Sequence, residues 1–433
     1  MVATAVRWHG QFAPGHERRD GILCVGGVRV DVLANAYGTP SLILDGNVLD
    51  ATVSEFIEAA APHHIDVAYA GKALLLVELV RLLASTPLQL DVCSLAELIT
   101  AERGGMPAHR MTLHGCAKTG DELAAAAAGR VGRTVVDNLD ELAALAATGA
   151  RVPVLLRINT GVEAHTHAFV QTAGDATKFG IVERDFAAAA AILSSHPQLQ
   201  FLGLHSHIGS QIYETGAFAA NVDRLFGAAA RFVSWNLPVH EMIVGGGFGV
   251  QTGPNDDAHL EIAGVLNAIA QATREHAGVR DIPLPRVGIE PGRAIIAPAG
   301  TSLYRVMTKK RQTSCTFAVV DGGIADNPRP ALYDAYHHAI LASRCAEGDK
   351  ESETVMVCGK SCENDRLTQA VLPQALAPGD LLAVCTTGAY TYSMASNYNR
   401  FPKPAVVYAR DGTHRLLARR ETIEDVLRND VDA

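Results

Sequence analysis

The chain has 433 residues, 48% of them hydrophobic, and carries a formal net charge of −9 with an isoelectric point near 6.0. That length and apolar content are enough to bury a large core and favour two or three domains, while scattered charges with no basic block argue against a nucleic-acid or anionic-membrane partner. Eight cysteines without a Cys-x-x-Cys pair indicate neither a zinc ribbon nor a disulfide framework, and fit a reducing cytoplasm. The amino terminus shows no charged region followed by an apolar one, and no stretch has the apolar length to span a bilayer, so neither an export signal nor a membrane anchor is expected.

In chain order, the first forty residues hold short Val-rich pieces, Gly21-Ile-Leu-Cys-Val25 and Val28-Arg-Val-Asp-Val32, broken by glycine. They read as strands outside the main domain. Eight apolar segments follow: Asp66–Lys72, Leu88–Asp91, Arg110–His114, Thr134–Asp137, Val152–Arg157, Phe201–His207, Glu241–Gly247 and Arg286–Glu290. Continuous apolar runs are the mark of buried parallel strands, and Ala/Leu-rich amphipathic stretches lie between these. Eight such units predict an α/β fold, a (β/α)8 barrel of the TIM type over residues 38–295. The carboxyl ends of its strands would gather Lys72, Asp91, two histidines, Arg157, a glycine cluster and Glu290 at one mouth.

The polar segment Glu163 to Lys178 has no clear period and is expected to be a loop over that mouth. Beyond residue 296 the runs Thr316–Val320, Thr354–Cys358, Leu381–Cys385, Ala405–Ala409 and His414–Ala418 alternate with Gly, Pro and Asp turns. They predict a mainly antiparallel β domain, formed by 296–433 and completed by residues 1–37.

Several residues carry chemistry. Lys72 ends its strand among Ala70, Gly71 and Ala73, which leave space beside the ammonium. Most strand-end lysines are solvated termini, but a partly desolvated one forms a Schiff base with an aldehyde cofactor. Gly245-Gly-Gly-Phe-Gly249 offers backbone amides to a phosphate, where a plain flexible turn is the competing reading. In Glu290-Pro-Gly-Arg293 the bend puts a carboxylate and a guanidinium on one rim, and a carboxylate facing a pyridine nitrogen keeps that nitrogen protonated. His205 and His207, or His165 and His167, have the look of metal pairs, yet no cysteine or carboxylate sits at ligand spacing, so no metal is assigned and His207 is read as a ring packed on a planar cofactor. In the β domain, Arg329 and Tyr333 share a turn. Cys362 differs from the small buried cysteines 358 and 385 in having polar neighbours, which suit an exposed, titrating thiol.

The motifs Tyr69-Ala-Gly-Lys72-Ala, Leu113-His-Gly, Gly161-Val-Glu-Ala-His-Thr-His167, Leu204-His-Ser-His-Ile-Gly-Ser-Gln211, Gly245–Gly249, Glu290-Pro-Gly-Arg293, Asp326-Asn-Pro-Arg-Pro-Ala-Leu-Tyr333, Cys362-Glu363 and Thr387-Gly-Ala-Tyr390 occur in an order that resembles the diaminopimelate decarboxylases, fold-type III pyridoxal-phosphate enzymes built like alanine racemase. The resemblance runs from about Gly38 to the carboxyl end. It implies pyridoxal 5'-phosphate as cofactor, held by Lys72, Asp91, Arg157, His207, Ser210, Gly245, Gly246, Gly247, Glu290, Gly292, Arg293 and Tyr390. It implies Lys72, Glu290, His207 and Cys362 as catalytic residues, Cys362 protonating Cα after carbon dioxide leaves. Substrate would meet Arg293, Arg329, Tyr333, Glu363 and Tyr390, in a cytoplasmic homodimer whose active sites are shared between subunits.

Three positions depart from the family pattern. Cys362-Glu-Asn-Asp365 is one residue shorter than the usual Cys-Glu-Ser-Gly-Asp, Leu74 stands where Asn often follows Lys-Ala, and Cys116-Ala-Lys118 replaces Asn-Asn-Lys. The first borders the distal end of the substrate. The expected reaction is decarboxylation of meso-2,6-diaminopimelate to L-lysine, the alternative being the same chemistry on a related diamino acid, a D-amino acid or a siderophore or antibiotic precursor. A racemase would typically place Arg where Glu290 stands, and a small cofactor carrier would not need the β domain.

Overall fold

The computed structural model describes residues 7–162, 177–256, 260–345 and 351–431. The chain divides into two compact units, one of residues 55–249 and 259–294, the other of residues 1–54, 250–258 and 295–433.

The first unit is a closed barrel of eight parallel strands: Asp66–Ala70, Gln89–Val92, Met111–Leu113, Arg133–Val136, Val152–Arg157, Leu199–His205, Glu241–Ile243 and Arg286–Ile289. The eighth pairs with the first, Gly288 opposite Asp66 and Ile289 opposite Val67, which leaves no free edge. All eight predicted segments are present. The loops after the second, third and fourth strands are short because helix caps follow closely. Ser94, Thr119 and Asn138 each accept a backbone N–H from the glutamate three residues on, at Glu97, Glu122 and Glu141. A cap of this kind stabilises by about 1 kcal/mol, and here it also stops the chain from wandering away from the mouth.

The opposite, amino-terminal end of the barrel is closed by buried charge. Arg133 reaches Thr112 Oγ1 at 3.0 Å, Glu241 at 2.5 Å and the side chain of Gln89, while Arg286 bonds Glu241 at 2.6 Å. Chemistry is therefore left to the carboxyl ends, as barrel folds have it.

The second unit is a mixed, mainly antiparallel sheet. Its path runs Arg366–Pro373, Ser352–Cys358, Thr316–Val320, Gly300–Arg311, Ser41–Asp45, Ala405–Arg410, Thr413–Ala418, with Leu381–Cys385 joining Gly300–Arg311 to Ala339–Leu341. Two pairings are parallel, Thr316–Val320 with Ser352–Cys358 and Ala405–Arg410 with Ser41–Asp45. Ser41–Asp45, grouped with the barrel by sequence, belongs to this sheet. The amino-terminal strands Glu17–Arg19, Ile22–Val25 and Val28–Arg29 form a small antiparallel sheet of their own. Leu23, Val25 and Val28 from that sheet share one apolar core with Ile43, Leu303 and Val407. Among the described residues no helix is long and apolar enough to cross a membrane, and all eight cysteines are free.

Candidate active site

Lys72 stands in a single 3-10 turn, Gly71–Ala73, directly after the strand Asp66–Ala70. Tyr69, fully buried, donates its hydroxyl to the Leu74 carbonyl at 2.8 Å and so pins that turn from below. The lysine itself is exposed, between the buried Gly71 and Ala73. The small neighbours have a packing reason. A Cβ on Gly71 would lie 2.7 Å from the Asp91 carbonyl oxygen, and one on Gly292 would lie 3.0 Å from Ala70 Cβ and 3.2 Å from Ala73 Cβ. The Glu290–Arg293 bend thus packs against the turn that carries Lys72, and the Ala70 N–H donates to the Pro291 carbonyl at 3.2 Å.

Glu290 is the electrostatic centre. Its Oε2 accepts a hydrogen bond from His205 Nε2 at 2.9 Å, and its Oε1 is 3.2 Å from His114 Nε2. That same His114 nitrogen is 3.5 Å from Asp91 Oδ1, and neither of its two contacts has hydrogen-bond alignment. Asp91, His114 and His205 are 3%, 8% and 1% exposed, so the charges here are poorly screened.

Burial pushes His114 down, but the carboxylates of Glu290 and Asp91 outweigh it and raise the imidazole to about 9. Burial, joined by the charge of Glu290, raises Asp91 to about 6. Burial also opposes ionisation of Glu290, yet His205 and His114 hold it well below the usual carboxylate range. His205 is lowered to about 4, burial outweighing its pull toward Glu290. The state near neutral pH is thus an ionised Glu290 beside a protonated His114, with a neutral His205 donating Nε2–H. The donor atoms of His114, His205 and Glu290 lie within 4.8 Å of one another, and the His205 ring is hydrogen-bonded to the carboxylate.

The glycine cluster is required by close approach. A Cβ on Gly245 would sit 2.4 Å from the Ser206 carbonyl oxygen, on Gly246 2.1 Å from that of Glu290, and on Gly247 2.4 Å from that of Gly209. Gly245 and Gly247 have φ of 84° and 98°, in the region that favours glycine. The Gly246 N–H donates to His207 Nδ1 at 3.1 Å, which fixes that ring with its proton on Nε2. Burial, then the charge of Lys72, holds His207 well below its ordinary value, so it is neutral. Arg293 donates from Nη2 to Ser210 Oγ at 3.1 Å.

This donor set fits pyridoxal phosphate. An amine, a buried ionised carboxylate, a neutral imidazole and a Gly/Ser/Arg corner stand at the ends of neighbouring strands of one barrel. The orphaned Nδ1 of His205 and Oδ1 of Asp91 show polar demand that the protein alone does not meet.

Comparison with known proteins agrees. The pyridoxal binding domain of the pyridoxal-dependent decarboxylases matches residues 49–297. A diaminopimelate decarboxylase of Actinosynnema pretiosum subsp. auranticum is 40% identical over 98% of this chain and 95% of its own length. The chain belongs to the diaminopimelate decarboxylase family. The enzyme of that name from Bacillus subtilis is 39% identical over 97% of this chain and 98% of its own. A crystal structure of diaminopimelate decarboxylase from M. jannaschii in complex with L-lysine is similar at a TM-score of 0.90 and 27% identity, covering 96% of this chain and 98% of that one.

The other site residues named from sequence fall as follows. In the barrel unit, Arg157 has Nε 3.7 Å from Asp137 Oδ1 and its guanidinium 4.5 Å from the Phe179 ring centre. In the β unit, Arg329 is buried at the start of the helix Arg329–Tyr333, with its guanidinium 5.0 Å from the Tyr333 ring centre and 5.5 Å from that of Tyr390. Glu363 accepts from the Tyr398 hydroxyl at 2.6 Å, and Cys362 is exposed. Residues 163–176, including His165, His167 and most of the expected mouth loop, lie outside the described residues. Sequence reading did not assign the roles of His114 and His205 on Glu290; the strand-end histidine of Leu113-His-Gly was the available signal.

Proposed function

We propose that the chain catalyses the pyridoxal-phosphate-dependent decarboxylation of meso-2,6-diaminopimelate to L-lysine with release of carbon dioxide. The observation that carries this reading is the nearly buried Glu290 carboxylate, hydrogen-bonded by His205 and 3.2 Å from His114, in a chain similar over almost its whole length to enzymes named for that reaction. When bound, pyridoxal phosphate supplies an electron sink for the Cα–carboxylate bond, provided its ring nitrogen stays protonated.

Each role falls to a named group. Lys72 holds the cofactor's aldehyde carbon. Glu290 keeps a proton on the ring nitrogen, an ionised partner being required for that. His207, neutral and oriented by Gly246, packs on the ring face. Ser210, Arg293, Gly245–Gly247 and Tyr390 bind the phosphate, and Asp91, Arg157 and Gly292 complete the pocket. Arg293, Arg329, Tyr333, Glu363 and Tyr390 take the distal ammonium and carboxylate of the substrate, a planar guanidinium suiting a carboxylate bidentately. Cys362 gives a proton to Cα. The barrel takes residues 55–249 and 259–294, Ser41–Asp45 lying in the β sheet, and the chain works as a cytoplasmic homodimer.

Carbon dioxide release from a panel of diamino acids tests the substrate. Meso-diaminopimelate is expected to be turned over in preference to lysine and ornithine. Arg329→Gln, which keeps much of the buried stem, is expected to raise KM or lower kcat by about 1.5–3 kcal/mol in kcat/KM, the scale of a lost charge-assisted pair. Ornithine turned over equally well, or an indifferent Arg329→Gln, moves the substrate to another diamino acid.

Sharing of sites has its own measurement. Lys72→Ala and Cys362→Ala proteins, each nearly inactive, are mixed under conditions of subunit exchange. A mixed dimer then holds one site with both defects and one with neither. Random mixing makes half the dimers mixed, so about a quarter of sites should recover under twofold symmetry. Demonstrated exchange without recovery would put both residues in one chain's site, or remove Cys362 from the reaction.

A further inference from the structure

At the carboxyl end of the barrel Lys118 and Glu141 form a buried ion pair. Lys118 Nζ lies 3.1 Å from Glu141 Oε2, and the two side chains are 1% and 6% exposed. Lys118 stands in the loop after the third barrel strand, Met111–Leu113, and Glu141 in the first turn of the helix Leu139–Ala147 that follows the fourth, Arg133–Val136.

A lysine ammonium has three N–H donors, and each finds an acceptor here. Besides Glu141 they reach the Gly115 carbonyl at 2.8 Å and the Val135 carbonyl at 2.6 Å. Glu141 is bonded as fully. Its Oε1 accepts from the Lys118 backbone N–H at 2.8 Å, and its Oε2 from that of Asp137 at 3.0 Å. Asn138, which caps the same helix, adds a bond from Nδ2 to the Cys116 carbonyl at 3.1 Å.

These contacts fall where the sheet stops joining the two strands. The ladder between them ends at Leu113 opposite Thr134, and the charged residues of the mouth lie beyond it. Gly115 directly follows His114, whose Nε2 is 3.2 Å from Glu290 Oε1 and 3.5 Å from Asp91 Oδ1. Val135 lies two residues before Asp137, whose carboxylate accepts from the Gly180 N–H at 3.1 Å and stands 3.7 Å from Arg157 Nε. Gly115 has a φ of 117°, a conformation glycine permits but does not itself enforce. The bond from Lys118 to its carbonyl fixes the direction the chain takes after His114.

Stability is a weak reason for such a pair. Burying two charges costs desolvation that their attraction barely offsets, and neutral replacements of buried pairs are often as stable. What a fully bonded pair adds is one fixed geometry.

We propose that Lys118 and Glu141 are positioning residues for the decarboxylation: they lock the ends of the third and fourth strands together and so set His114 against Glu290. The expected effect on rate rests on the catalytic reading, whereas the effect on His114 does not.

The test is the double variant Lys118→Met with Glu141→Gln in the full-length holoenzyme. It removes one charge of each sign from adjacent positions, so the field at His114 changes little and a change there reports position. Asp91, Glu290 and His205 face His114 from the neighbouring strands, with Glu97 at longer range, and all four are left in place. With the His114 ring followed by NMR across pH, its midpoint is expected to fall below the parent's, because burial opposes the protonated ring once the carboxylates are no longer held against it. The kcat is expected to fall on the order of tenfold, less than the hundredfold that a misplacement of about 1 Å can cost. Lys118→Gln with Glu141→Gln is the second variant if the first does not fold; its amides can still bond the backbone partners, so both readouts should move the same way by less. A lower His114 midpoint together with a lower kcat in either folded variant supports the proposal. A folded variant that keeps the parent's His114 midpoint, whatever its melting temperature, overturns it, as does a shifted midpoint with kcat unchanged. A parent without decarboxylase activity would sink the catalytic reading instead, and the NMR titration would still decide whether the pair places His114.

Discussion

Lys72→Ala is expected to lose decarboxylase activity by roughly 10³-fold or more, the scale of removing a covalent or proton-transferring group, and to lose the near-visible absorbance of a lysine-bound aldehyde cofactor. The reason is positional. The turn Gly71–Ala73 is pinned by the Tyr69 hydroxyl on Leu74 and walled by Gly292, so the backbone that presents Lys72 is fixed. Borohydride treatment of the parent followed by peptide mass spectrometry should find the cofactor on Lys72 alone. Folding is a separate readout, and the exposed side chain predicts a melting temperature close to the parent's in the cofactor-free forms. A colourless parent that stays inactive with added pyridoxal phosphate would sink the assignment and the reading built on it.

The barrel was legible because its strands are buried on both faces, and short runs such as Thr134-Val-Val and Arg286-Val-Gly-Ile stand out against Ala-rich helices. The β domain was legible only where its strands are apolar. Gly300–Arg311 was not anticipated: its second half, Met307-Thr-Lys-Lys-Arg311, faces solvent and carries charge, although the strand pairs with three others and organises the sheet. Arg366–Pro373 alternates exposed and buried residues, with a proline at its end and a glutamine within it, and gives an equally weak signal. Ser41–Asp45 is fully buried, but an apolar run does not say which sheet it joins. At the site, sequence pointed to the strand ends but not to which side chains meet across the mouth. Asp91, His114, His205 and Glu290 lie on four different strands or their ends, and only barrel closure brings them within ion-pair distance. Periodicity fixes the face a residue takes; pairing order fixes its neighbours.

Glu290→Gln should keep the cofactor and lose on the order of a hundred- to a thousandfold in kcat, the typical cost of deleting one preorganised charge at a developing one. A neutral amide can accept a hydrogen bond from His205, so the fold and the Lys72 turn are preserved, but it does not hold a proton on a pyridine nitrogen. The substitution also acts on His114. In the parent, folding lifts that imidazole from 6.5 to about 9 through the net pull of Glu290 and Asp91 against burial. The folded state then binds the extra proton between those values, so its contribution to stability is complete below pH 6.5 and is lost as pH rises through about 9. Asp91 also favours the protonated fold, but in a lower window, from 3.8 to about 6, so the two are separable in a pH series. With Glu290 neutral, burial regains weight over the single remaining carboxylate, and the alkaline loss of stability should begin at lower pH in Glu290→Gln than in the parent. Thermal melts from pH 6 to 10, with the His114 ring followed by NMR, read this directly. A variant that decarboxylates at the parent rate and titrates His114 unchanged would mean that Glu290 neither protonates the cofactor nor organises the cluster around it.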